Sequence, residues 1–110
     1  MTFPAGANGP VLVADRNAME QVELLNPAEV LAQLLQVPIY RYRLTGAGGE
    51  QFSRGPVAQE WYAQFPSGSG EVLSIATSDL HGVSIAAVQG LAQRVVALEA
   101  VVAELRARVG

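Results

Sequence analysis

The chain has 110 residues, which is enough for one small domain with one modest core. Half of the residues are apolar but only 6% are aromatic, so Val, Leu and Ala must fill that core, which suits helices and a shared interface better than a deep pocket. The formal charge is −3, the seven cations are all Arg and lie scattered along the chain, and Cys and Lys are both absent. These features argue against a nucleic-acid binder and exclude disulfides, thiolate chemistry and any mechanism that needs an amine side chain.

Residues 1–13, MTFPAGANGPVLV, hold two Pro and two Gly and read as an extended arm or the end of a stalk, without the basic and apolar blocks of a signal peptide. A helix start follows at Asn26-Pro27-Ala28-Glu29. Asn caps, Pro suits the first helical position, and Glu three residues after the cap completes a capping box. Val30, Leu31, Leu34 and Leu35 form the apolar face of this helix, and Pro38 ends it.

Residues 39–44, IYRYRL, alternate as a half-buried strand with Tyr40 and Tyr42 on one face. A glycine-rich turn over 45–49 leads to a second extended piece, residues 50–54, that can pair with it as a hairpin. Gly55-Pro56 opens a short helix through about Gln64, stopped by Pro66 and followed by a flexible loop, Ser67 to Gly70. Residues 71–76 read as another short strand, and Asp79 as the cap of everything after it.

The last element carries the strongest periodicity. Val88, Leu91, Val95, Leu98, Val102, Leu105 and Val109 recur at spacings of three and four, the seam of a coiled coil over about three heptads. A helix over 80–109 would run roughly 45 Å, longer than so small a domain can cover, so a partner chain is its natural cover. Val at a and Leu at d favour a parallel dimer, whereas Ala87 and Val101 at g and Ala92 at e widen the apolar face for a third helix. Arg94 and Glu99 are placed for an attractive contact between parallel neighbours. The expectation is a trimer, with a dimer, or a helix folded back on its own domain, as alternatives. Arg94, Glu99, Glu104, Arg106 and Arg108 interrupt the apolar run, which argues against a membrane span.

Three blocks, ADRNAME (14–20), GPVAQEWYAQF (55–65) and GVSIAAVQGL (82–91), resemble in order and spacing the intramolecular chaperone domain at the C-terminus of phage endosialidases, tail spikes and tail fibres. The resemblance covers residues 14–91, and the coiled coil continues in the family manner. It implies a trimeric domain that registers a fibre. In that family the first block usually begins Ser-Asp-Arg-Asn, with a Lys five residues after the Ser. The Ser cuts the chain just before itself, and the Lys serves as its general base. Here those positions are Ala14 and Met19, so both the attacking oxygen and the activating amine are missing, and self-cleavage by the family route is not expected. Asp15, Arg16 and Asn17 keep the family form; Asp15 or Asn17 is expected to bond the backbone of the next turn and hold the junction between stalk and domain.

Other candidate sites are weaker. Ser78, Asp79 and His81 lie too close in sequence to converge as a relay, and one His cannot build a multi-His metal site. The glycine runs at 46–49 and 68–70 lack the Lys and the spacing of a phosphate loop. Trp61, Tyr62 and Phe65 read as core packing before a sugar platform, and nothing in the sequence brings Glu60 and Glu71 together as a glycosidase pair.

The expectation is therefore an α+β fold with an arm at 1–13, a small domain of short helices and antiparallel strands at 14–79, and a trimerising coiled-coil helix at 80–110. The expected role is a structural and assembly domain of a phage tail fibre or spike, assembled in the bacterial cytoplasm and carried in the virion. Its partners would be two further copies and an upstream fibre or stalk, with no cofactor, metal, nucleic acid or membrane. The alternatives are a residual autoprotease acting near Ala14 and a glycan-binding fibre tip that uses Trp61.

Overall fold

The computed structural model describes residues 13–46, 51–67 and 73–110. A single 3₁₀ turn, Arg16–Ala18, is followed by helix α1 (Pro27–Leu34), strands β1 (Tyr40–Tyr42) and β2 (Ser53–Gly55), helix α2 (Ala58–Gln64) and helix α3 (Thr77–Val109). The fold is α+β.

Helix α1 starts where its residues dictate. The Asn26 side chain accepts from the Ala28 and Glu29 N–H groups, and Pro27 occupies the first helical position, where a missing N–H costs nothing. Strands β1 and β2 pair antiparallel as a hairpin, with Tyr40 opposite Gly55, Arg41 opposite Arg54 and Tyr42 opposite Ser53. Helix α2 is held to the rest of the fold by hydrogen bonds that include Gln33 Nε2 donating to the Gln64 carbonyl at 2.8 Å and the Tyr62 hydroxyl donating to the Ser74 carbonyl at 2.7 Å.

Two elements differ from the sequence reading. Residues 73–76 form no strand, and the rest of that expected strand, 71 and 72, lies outside the described residues. Helix α3 starts three residues earlier than expected, with Ala76 as its cap. Asp79 therefore lies inside the first turn, where it faces the positive end of the helix dipole and its N–H bonds the Ala76 carbonyl. Asp is favourable at either place, so its presence alone does not fix the boundary. The residues expected as the 47–49 turn and the start of the second extended piece lie outside the described residues as well.

The core is small. Among the described residues its buried apolar side chains are Val30, Val37, Trp61, Ala86 and Ala87, and Leu31, Leu34, Phe65 and Val83 pack around the contact of Val30 with Ala86 and Ala87. Small residues on α3 let α1 come close: a Cβ on Gly90 would stand 2.3 Å from the Pro27 carbonyl oxygen. Helix α3 extends well past this contact. The radius of gyration is 19.1 Å, against about 13 Å for a compact domain of this length. The accessible surface is 9283 Å², against roughly 5,800 Å² for a compact monomer of this mass.

Candidate assembly interface

The face of α3 that α1 covers follows from helix geometry. With Val88 at position a and Leu91 at d, Ala86 falls at f, Val83 and Gly90 at c, and Ala87 at g. At 100° per residue, Ala86 and Gly90 lie about 170° and 130° from the midline of the a/d seam. Packing α1 on the c/f side therefore leaves the seam open along its whole length. Val88, Leu91, Val95, Leu98, Val102, Leu105 and Val109 are all between 46% and 88% exposed. After Gly90 every residue of α3 is exposed, a stretch of roughly 28 Å.

The seam begins in polar form. His81 and Ser84 occupy its first a and d positions, and the Ser84 hydroxyl satisfies itself on the Leu80 carbonyl at 2.7 Å. At the far end Arg108 pairs with Glu104 at 2.6 Å, one turn back along the exposed surface, in the orientation that suits the dipole. Ala87 departs from the sequence reading. Expected to widen the seam for a third helix, it is buried against α1 instead, so of the three flanking residues expected to do this only Val101 and Ala92 remain exposed, with Ile85, also at e, beside the start of the seam.

Upstream, Ala14 and Met19 are exposed and flank the 3₁₀ turn. The Asp15 carboxylate caps this turn, accepting from the Asn17 N–H at 2.9 Å, and the Ala18 N–H bonds the Asp15 carbonyl. Asp15, Arg16 and Asn17 thus form one local knot of backbone bonds that leads into the exposed segment before α1.

The remaining candidates sort by burial. Trp61 is 2% exposed, tilted against Phe65 with ring centroids 4.8 Å apart, and so its ring belongs to the core and offers no face to a sugar. Glu60 accepts from the Tyr40 hydroxyl at 2.7 Å, and Glu71 lies outside the described residues. That hydrogen bond, ahead of desolvation and repulsion by the carboxylate, raises the Tyr40 phenol above its ordinary value. Ser78 and Asp79 line a shallow depression with Trp61 and Phe65, while His81 stands exposed on the seam side. Among the described residues no group of three or more His, Cys, Asp and Glu is placed to hold a metal ion.

The hairpin collects charge that looks scattered in the sequence. Arg41 on β1 has Arg54 directly across from it, and just past the paired residues Phe52 packs under both Arg41 and Arg43, its ring centroid 3.7 Å from the Arg41 guanidinium and 5.6 Å from that of Arg43. Three of the seven Arg thus share one ribbon face. The missing signal was cross-strand register, which no local window contains. Helix α3 is also long and apolar enough, by length and composition, to cross a membrane. The chain matches no family model, no curated protein and no solved structure.

Proposed function

We propose that this chain is an assembly domain of a phage tail fibre or tail spike, which trimerises through the a/d seam of α3, holds three copies of an upstream stalk in register and does not cut itself. The observation that carries the reading is the open seam: seven apolar side chains in heptad register, on the side of α3 that its own domain leaves bare. Burying such side chains yields about 1.5–3 kcal/mol each, so a seam shared among copies supplies the free energy that the small core lacks. The resemblance of residues 14–20, 55–65 and 82–91 to the phage chaperone domain supports three copies over two. Ala14 and Met19 in place of the family's Ser and Lys support a domain that stays attached.

The functional logic is entropic. Three stalk ends that start side by side avoid the chain-closure cost of finding one another, as tethering raises effective concentration. The length and apolar character of α3 favour one competing reading, a membrane span. Arg94 and Glu99 fall in the middle of that helix, and each would cost about 2.5–3.5 kcal/mol at the bilayer centre. At the g and e flanks of a coiled coil the same two residues sit at the solvated rim, where opposite charges on neighbouring chains attract.

Sedimentation of the wild-type chain beside a variant carrying both Leu91→Glu and Leu98→Glu tests this reading. The wild type is expected to sediment as three chains and the variant as one, with the variant's small core intact by the emission of its buried Trp61. Equal sedimentation of the two would remove the seam as the assembly surface.

A further inference from the structure

A second surface calls for a partner, and it uses none of the seam residues. On the hairpin, Arg41 and Arg54 are directly paired across the ladder, a placement in which like charges destabilise a sheet. Phe52 below them stays exposed. Stacking on that ring uses the flat face of the Arg41 guanidinium and not its in-plane N–H donors, which are the donors a carboxylate takes up. The face is thus built for carboxylates alongside an apolar side chain.

The chain itself carries a segment of that make-up. Residues 19–24, MEQVEL, lie in no helix or strand, and Met19, Glu20, Val22, Glu23 and Leu24 are all exposed, Leu24 completely so at 101%. Within it Gln21 holds φ at 53°, a left-handed conformation that a non-glycine residue keeps only where its surroundings impose it. In a single copy those surroundings are solvent. Glu20 and Glu23 stand at most about 10 Å apart along the chain. On the hairpin, Arg54 lies about 5 Å across the ladder from Arg41, a span that two carboxylates no more than about 10 Å apart can bracket.

We propose that residues 19–24 of one copy dock on the hairpin of a neighbouring copy, with the Glu20 and Glu23 carboxylates on the Arg41 and Arg54 guanidiniums and Leu24 over Phe52. The docking rests on the assembly proposed above for its second copy, but it uses none of the seam residues. Its consequence is that the junction next to Asp15 is fixed by another subunit, so the stalk ends are ordered only in the assembled particle.

Because the chain has no Cys, a Glu23→Cys, Arg54→Cys double variant carries thiols only at the two docked positions, which a short bismaleimide can bridge where a direct disulfide, limited to Cα atoms within about 7 Å, does not span the gap left by a Glu–Arg pair. After this cross-linking it is expected to run on a denaturing gel as dimers and trimers, while each single-Cys variant stays a single chain. In parallel, Glu23→Arg is expected to lower the melting temperature of the particle, and adding Arg54→Glu to recover more than Arg54→Glu alone gains by relieving its pairing with Arg41. A particle of wild-type copy number with no link, or with a link only inside one chain, overturns the docking and leaves the seam untouched. A monomeric wild-type chain overturns both. Retention of the wild type on heparin that Arg54→Glu abolishes, with no link between copies, would assign the face to an external polyanion and also overturn it.

Discussion

Gly90→Ala is the most demanding test of how α1 and α3 fit together. A Cβ at this position would meet the Pro27 carbonyl oxygen at 2.3 Å, the Pro27 carbonyl carbon at 2.8 Å and the Leu31 Cβ at 3.2 Å. The first two are backbone atoms, so no side chain can turn away, and the start of α1 has to move by about 1 Å to restore ordinary contact distances. Overpacking of this kind costs about 1–3 kcal/mol. Alanine offsets about 0.5–1 kcal/mol of that through its better helix propensity, which leaves a net loss of up to about 2.5 kcal/mol. Gly82 on the same helix is the control, because a Cβ there meets nothing within 4 Å. Gly82→Ala is therefore expected to stabilise by about 0.5–1 kcal/mol. Urea unfolding of both variants at one fixed protein concentration reads the difference in sign. If Gly90→Ala stabilises as much as Gly82→Ala, the close approach of α1 to α3 does not exist in solution.

Leu98→Ala is expected to cost about 2 kcal/mol per copy, roughly 6 kcal/mol per trimer, seen as a large rise in the dissociation midpoint by dilution; in a monomer with an open seam the change would stay within about 0.5 kcal/mol. The Tyr40 to Glu60 hydrogen bond gives a pH dependence of defined sign. The folded phenol titrates above its ordinary value of 10.0, so its contribution to stability is complete below that pH and declines as pH rises through the higher folded value. Tyr40→Phe should leave melting unchanged at neutral pH apart from the lost hydrogen bond and flatten the decline above pH 10; an identical alkaline limb in wild type and variant would contradict this. On the proposed reading, introducing the Ser and Lys of the phage chaperone domain with Ala14→Ser and Met19→Lys is expected to release residues 1–13 from assembled particles, by intact mass, whereas either change alone leaves the chain whole.

The parts of this fold that were legible in the sequence are those set by local chemistry. Asn26-Pro27 fixes a helix start within a few bonds, and the heptad spacing from Val88 to Val109 fixes a long helix whatever surrounds it. The hairpin was legible from alternation and glycine placement. What stayed hidden needs two distant segments at once. Ala86 and Gly90, four residues apart on the side opposite the seam, marked a second contact face, but only the position of Pro27 and Leu31 shows that α1 fills it. Ala87 was misassigned for the same reason: its heptad position is right, and its neighbour is α1. Asp79 suits both a cap and a first turn, and residues 73–76 have strand-like composition but no ladder partner among the described residues. The basic face around Phe52 exists only once Arg41 and Arg54 are brought into register.

Native mass spectrometry of the purified chain tests the central claim most directly, since one spectrum reports copy number and chain length together. Three intact chains per particle are the expected result. An intact monomer would contradict assembly through α3, and particles whose chains are shortened near residue 14 would contradict the loss of self-cleavage that Ala14 and Met19 imply.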